Sequence, residues 1–244
     1  MIAVHRFGPI ALPGLLALVA AIGWAVGPVG QSVAIALNLS LAGFASALLL
    51  GPARPGGSYA RYATLAVAAL AASLAGRLIP AGPAIILAPA IWLYLWWVLH
   101  VELRGVDGSA GRLALDLTLV LAIFGGSAGI LRLVGPAGWP PPMVLIGLLV
   151  VVPAWRASEA RGAKGARAIG QAMLHVLAVV EIGLALTLLD LPAPVMPALL
   201  ALAFHTWNGA ADALLANAPA RGVLVEFGTL AVLGVLVVLL LTRI

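Results

Sequence analysis

The last third of the chain contains ionisable and amide side chains at helical spacing within apolar segments. His205, Asn208 and Asp212 follow i, i+3, i+7 spacing within an apolar segment. On a helix they would form one polar stripe about 10 Å long. Glu181 lies near the middle of the preceding apolar segment, where a carboxyl group is either protonated or paired. We expect these four side chains to line one cavity; the alternative of equal weight is a hydrogen-bonded network that joins helices.

Two further ionisable residues could contribute to this site. His175 precedes Glu181 by six residues, a rotation of about 600° that places the two on different helix faces. Glu226 enters the last apolar segment after about one turn and could approach Asp212 or His175 from a neighbouring helix. The predicted residues of a substrate- or proton-binding cavity are therefore Glu181, His205, Asn208, Asp212, His175 and Glu226.

Other charged residues have simpler interpretations. Asp116 follows Arg112 by four residues, so the two would lie on one helix face and could pair. The fourth apolar segment is rich in Trp and Tyr and ends in His100, Glu102 and Arg104. This composition is typical of an aromatic belt at a membrane boundary with a solvated polar tip; a haem or substrate site is the alternative.

The glycine-rich motif and the absence of several cofactor-binding motifs argue against several known kinds of site. Gly125 to Gly129 matches G-x-S-x-G, which marks a nucleophile only on a strand–turn–helix. Inside an apolar segment, such glycines favour close helix packing, and Gly43 with Ala47 predicts a second contact of this kind.

Lys164, the only lysine, lies in a hydrophilic segment, which excludes a retinal Schiff base. The cofactor is left undetermined: a single haem on His175 or His205 has no supporting motif, and zinc-binding motifs are absent.

The composition predicts an all-α, polytopic membrane protein. Hydrophobic residues make up 64% of the 244 residues and charged residues 9%, whereas soluble domains are about half apolar and a quarter charged. Apolar runs long enough to cross about 30 Å of hydrocarbon recur along one domain, 1–244. Eight or nine spans are predicted, at roughly 8–26, 30–50, 58–79, 83–103, 112–134, 140–155, 168–190, 194–217 and 221–242.

The basic residues predict an orientation. With the N-terminus in the cytoplasm and the first helix retained, ten of the thirteen lie on the cytoplasmic side and three on the other, as the positive-inside rule requires. The longest hydrophilic segment, Arg156 to Arg167, is predicted to be a cytoplasmic loop. Because these residues are single arginines between apolar runs, nucleic-acid binding is not expected.

A duplication is also predicted. Gly27-Pro28-Val29-Gly30 resembles Gly135-Pro136-Ala137-Gly138, and Pro83-Ala84-Ile85-Ile86 resembles Pro197-Ala198-Leu199-Leu200. The repeat units would be 8–107 and 112–219, in the same orientation, followed by a final helix at 221–243.

These features favour a small transporter or permease of a bacterial cytoplasmic membrane that carries a small solute or ion and is coupled to protons. Glu181 and His205 would titrate, while Asn208 and Asp212 form the polar wall. Two alternatives stay open. One is a membrane-embedded enzyme that acts on a lipid or isoprenoid. The other is a sensor domain or integral subunit of a larger membrane complex. The expected partners are the lipid bilayer, the small solute or ion, and either further copies of the chain or another protein of a membrane complex.

Overall fold

The computed structural model describes residues 2–52, 58–76, 87–106, 108–138, 140–189, 191–192 and 194–241. This part of the chain forms nine α-helices and no strand, which confirms the all-α prediction. Each predicted apolar segment overlaps one helix. The helices are α1 (Ile2–Val26), α2 (Pro28–Leu50), α3 (Arg61–Ala75), α4 (Leu87–Arg104), α5 (Gly108–Val134), α6 (Pro141–Ala160), α7 (Gly165–Leu186), α8 (Val195–Leu215) and α9 (Ala220–Leu241).

Six of the described helices are long and apolar enough to cross a membrane, namely α1, α2, α5, α6, α7 and α9. A helix needs about 20 predominantly apolar residues to do so. α3 is shorter, and α4 and α8 carry the polar residues described below. Six such helices in 244 residues indicate a membrane protein.

Glycine and proline set two of the tight helix connections. Gly27 alone separates α1 from α2; it has φ +94°, a conformation that L side chains rarely adopt, and Pro28 begins α2. Gly162 has φ +87° in the short turn from α6 to α7. Such connections force consecutive helices to run antiparallel side by side.

The helices pack as two groups of four. In the first group α1 contacts α2 and α4, and α3 contacts α2 and α4; in the second, α5 contacts α6 and α8, and α7 contacts α6 and α8. Each group encloses a hydrophobic core. α3 packs against α5 and α6 and so joins the groups, and α9 packs against α8. The duplication stays a prediction, because its 83–86 segment lies outside the described residues.

Glycines on α5 allow α3 to approach closely. A Cβ atom added at Gly129 would lie 2.5 Å from the carbonyl oxygen of Leu74, and one added at Gly125 would lie 3.4 Å from the Cβ of Ala75. Between them, the Ser127 hydroxyl donates to the carbonyl oxygen of Ile123. The G-x-S-x-G sequence therefore forms a helix-packing contact, as predicted.

The small-residue contact on α2 lies one position away from the predicted one. A Cβ atom added at Gly43 would meet no atom within 4 Å, and Ala47 is exposed. Ala42 and Ser46 are buried instead. The pair keeps the predicted four-residue spacing but on the adjacent helix face.

The α3–α5 contact can be tested with two glycines. We expect Gly129→Ala to destabilise the protein by about 1–3 kcal/mol, because the new methyl group overlaps backbone atoms of Leu74 that cannot move independently. Gly43→Ala is the matched control; it should be neutral or stabilising by up to about 1 kcal/mol, since alanine favours helix and the site is open. The measurement is the unfolding midpoint in detergent. Equal midpoints for the two variants would contradict the close contact.

Candidate functional site

The end of α6 carries a buried ion pair. Arg156 is 4% exposed and donates two hydrogen bonds of 2.8 Å to the carboxylate of Glu102 on α4, which is 3% exposed. This two-bond geometry is the strongest arrangement for an arginine and a carboxylate. Two sequence predictions were therefore wrong. α6 continues through Ala160, so the hydrophilic loop does not begin at Arg156, and Glu102 is not part of a solvated tip.

Glu159, one turn after Arg156, holds the segment that begins α3. Its carboxylate accepts hydrogen bonds from the Ser58 hydroxyl and from the backbone N–H groups of Tyr59 (3.2 Å) and Ala60 (3.0 Å). Free N–H groups at a helix start attract negative charge. The carboxylate from α6 thus substitutes for a capping side chain, since Ala60 itself provides none.

Arg161, directly after α6, is the centre of a second polar cluster. Its Nη1 donates to the amide oxygen of Asn208, and its Nη2 donates to the hydroxyl of Ser158 at 3.2 Å. Its Nε lies 3.4 Å from a carboxylate oxygen of Asp212 but lacks hydrogen-bond geometry. The side chain is 4% exposed. Burial lowers the pKa of Arg161, while the carboxylates of Asp212 and Asp116 raise it; an arginine keeps its proton in proteins.

The hydrogen bonds of His175 fix its proton. Its Nδ1 lies 2.8 Å from the carbonyl oxygen of Gln171, which can only accept, so Nδ1 carries the hydrogen. Its Nε2 lies 3.3 Å from Nη2 of Arg161, which can only donate, so Nε2 accepts. The imidazole is therefore neutral in this arrangement. The rings of Phe204 and Trp207 on α8 pack against it, with centroids 6.0 and 6.3 Å away.

Asn208 connects Arg161 to a second carboxylate. Its amide nitrogen donates to Asp116 on α5 at 2.8 Å, while its amide oxygen accepts from Arg161. If the Asn208 amide were flipped, its NH₂ group would face the Arg161 donor and its oxygen would face the Asp116 carboxylate, so neither hydrogen bond could form. The predicted pairing of Asp116 with Arg112 is not found among the described ion pairs; Asp116 turns to Asn208 on α8 instead.

The Arg161 cluster comprises Arg161, His175, Asn208, Asp212, Asp116 and Ser158. Within these six residues one guanidinium faces two carboxylates and a neutral imidazole; outside them, Arg112 acts electrostatically on Asp212, and His205 acts on Asp116. The side chain of Asp212 is 39% exposed, whereas His175 and Asn208 are buried. The cluster is therefore closed by packing on the α7 side and accessible at Asp212.

Of the six residues predicted for the site, three belong to this cluster: His175, Asn208 and Asp212. His205 lies at the midpoint of α8, is exposed, and interacts electrostatically with Asp116. Glu181 is exposed on the outer face of α7, and Glu226 is exposed on α9. Because α7 ends at Leu186, Glu181 lies in its last two turns rather than near the middle of a span.

Arg161 and Ser158 were not predicted to belong to the site, because both lie in the segment that the sequence indicated as a hydrophilic loop. The pattern that could have indicated them is the segment Arg156 to Arg161, in which charged residues are separated by Ala and Ser. Small residues between the charges let neighbouring helices approach, so the charges find partners across helices. A solvated loop needs no such spacing.

Polar residues of the first group of helices have a packing role. The Trp24 ring nitrogen donates to the carbonyl oxygen of Ser73 at 2.8 Å. The amide nitrogen of Asn38 donates to the Ser73 hydroxyl at 2.8 Å and to the carbonyl oxygen of Leu16 at 3.2 Å. These bonds join α1, α2 and α3 through neutral groups.

Comparisons with known proteins give no relatives: no family model, no curated protein and no solved structure matches the chain. Among the described residues, no group of three or more His, Asp or Glu side chains could hold a metal ion. Function must therefore be argued from the cluster itself.

The Glu102–Arg156 pair gives a test of stability. We expect Arg156→Met to cost about 3–5 kcal/mol, because it leaves the buried carboxylate of Glu102 without its partner. The double variant Glu102→Leu/Arg156→Met removes both charges and should unfold near the parental midpoint. Arg104→Met, at an exposed position of α4, is the control and should shift stability by less than about 0.5 kcal/mol. Unfolding in mixed micelles with SDS measures all three. A double variant as unstable as the single one would contradict this explanation.

Replacing Arg161 tests whether the planar guanidinium group, with its several N–H donors, holds the cluster together. Arg161→Lys keeps the charge but cannot donate to Asn208, Ser158 and His175 together. We expect a loss of about 1–3 kcal/mol in unfolding free energy from the unsatisfied buried groups. Arg167→Lys, at an exposed position of α7, should be neutral. If the two lysine variants are equally stable, the fork geometry is not what holds the cluster.

Proposed function

We propose that this chain is a small multi-pass transporter or permease that moves a small solute or ion and couples it to a proton at the Arg161 cluster. In this proposal the nine helices cross the cytoplasmic membrane of a bacterium, with the N-terminus in the cytoplasm. Six long apolar helices support the membrane setting. The distribution of basic residues supports the orientation.

The observation that carries the proposal is the concentration of ionisable side chains in the Arg161 cluster. Asp212 lies against Arg161 directly and Asp116 is linked to it through Asn208, while Arg112 also acts electrostatically on Asp212. Ionisable groups between membrane helices are costly and mark ion pathways or proton relays by default. Partial burial favours the neutral form of a carboxyl group, so a proton is the species that this cluster would take up.

Contacts within the cluster suggest how a proton would act there. Asp212 is partly exposed and touches Arg161 without hydrogen-bond geometry, so it is the carboxylate that can leave most easily. Protonation of Asp212 removes its attraction for Arg161. Arg161 then depends on Asn208 and, through it, on Asp116 of α5. Uptake of a proton therefore removes one of the two attachments of Arg161 to α8, and a change in the contacts between helices is what alternating access needs.

The proposed roles differ from those expected from the sequence. Glu181 was expected to titrate, but it lies on the outer face of α7, away from the cluster. The proton-handling role passes to Asp116 and Asp212. In this proposal Asn208 and His175 orient the guanidinium of Arg161. His205 is exposed and precedes the partly exposed Asp212 on the same helix.

Proton coupling can be measured in proteoliposomes that contain a pH-sensitive dye. A panel of small cations, anions and neutral solutes is imposed as gradients, and solute-driven proton flux is recorded. Asp212→Asn should lower this flux at least tenfold, because the amide cannot take up a proton but nearly keeps the carboxylate's size. Glu181→Gln is the matched control outside the cluster and should retain the parental flux. Loss in Glu181→Gln with retention in Asp212→Asn would overturn the assignment; no flux with any solute would overturn the transport proposal.

A further inference from the structure

The outer face of α7 carries a carboxyl group in an apolar stripe. The inner face of α7 is buried against α6 and α8 through residues such as Ala172, Val179 and Gly183. The opposite face is exposed and presents Gly170, Leu174, Leu177, Glu181 and Leu184. We name these five residues the α7 seam. Their spacings of four, three, four and three place them in one line along the helix.

Glu181 is the member of the seam that lipid cannot satisfy. It lies five residues before the last residue of α7, about 8 Å inside the helix end. Leu177 and Leu184, one turn away on either side, are 53% and 43% exposed on the same face. Among the described ion pairs, none involves Glu181. A polar group in hydrocarbon needs a hydrogen-bond partner.

We propose that a second copy of this chain covers the α7 seam, in a parallel dimer in which the two Glu181 side chains share a hydrogen bond. Two copies inserted in one membrane have the same orientation, so two α7 helices that meet on a two-fold axis are parallel. Symmetry then places each Glu181 opposite its equivalent at the same depth. The partner that the carboxyl needs is supplied by the same residue.

The composition of the seam fits this arrangement. A single polar residue in an otherwise apolar seam sets the register of paired helices, and polar side chains hydrogen-bond across helices in membranes. A hydrogen bond between two carboxyl groups contains one shared proton, which one group donates and the other accepts. Gly170 has open space where a side chain would project, so the two helices can approach closely near that end.

The dimer requires no rearrangement within one copy. The seam lies opposite the face that packs against α6 and α8, so the Arg161 cluster and its His175 stay intact. The inference needs only that α7 spans the membrane, and it is independent of the proposed transport activity.

Disulfide cross-linking tests the seam directly, because the chain contains no cysteine. Single cysteines replace Leu177 or Leu184 in the seam, Met173 on α7 beside the seam, and Phe44 on the outer face of α2. Met173 and Phe44 are both exposed, Phe44 by 73%. The purified full chain is reconstituted in proteoliposomes at low protein-to-lipid ratio and oxidised. We expect disulfide-linked dimers with Leu177→Cys and Leu184→Cys, and at least fivefold less with Phe44→Cys and Met173→Cys.

A second pair of variants tests the role of the carboxyl group. In the Leu177→Cys background, Glu181→Leu should weaken dimerisation about tenfold, measured by diluting the protein with lipid, because the interhelical hydrogen bond is lost. Glu181→Gln keeps a donor and an acceptor and should retain the dimer. If cross-linking at the seam is no stronger than at Phe44, the proposal that a second copy covers the seam is overturned, and another membrane protein becomes the favoured partner. Equal dimerisation of Glu181→Leu and the parent would overturn the shared hydrogen bond.

Discussion

Burying the charged end of α6 is the constraint on which the arrangement of the second group of helices depends. Arg156, Glu159 and Arg161 lie within six residues, and each meets a different neighbour: α4, the segment before α3, and α8 with α7. A buried charge without its partner costs several kcal/mol. The partner helices must therefore be in place together, and the end of α6 ties both groups of helices to one another.

The two groups of helices use polar residues in different ways. In the first, Trp24, Asn38 and Ser73 join helices through neutral groups that end on carbonyl oxygens. In the second, the bonds connect ionisable groups, Arg161 and Asp116, through one amide. Neutral bonds of this kind hold packing without responding to a proton. The ionisable network can respond, because a change of charge at one member alters the attraction felt by the others.

The two faces of α7 have different roles. Its inner face supplies His175 to the Arg161 cluster, and its outer face presents Glu181 to the surroundings. A neutral imidazole enclosed by Phe204 and Trp207 keeps the guanidinium in position without adding charge. A carboxyl group on the opposite face cannot take part in that cluster, because one helix cannot turn both faces to the same neighbour.

The helices could be predicted from the length and composition of the apolar runs, because a helix satisfies its backbone polar groups in lipid through hydrogen bonds within the segment. It also indicated that His175, Asn208 and Asp212 were candidates for one polar site. The packing of the helices was needed to show that Arg161 is their centre, that Asp116 bonds to Asn208 rather than Arg112, and that Glu102 is buried. Spacing along a chain fixes the face on which a residue lies, but the partner of a charge comes from another helix and depends on packing that local sequence does not specify.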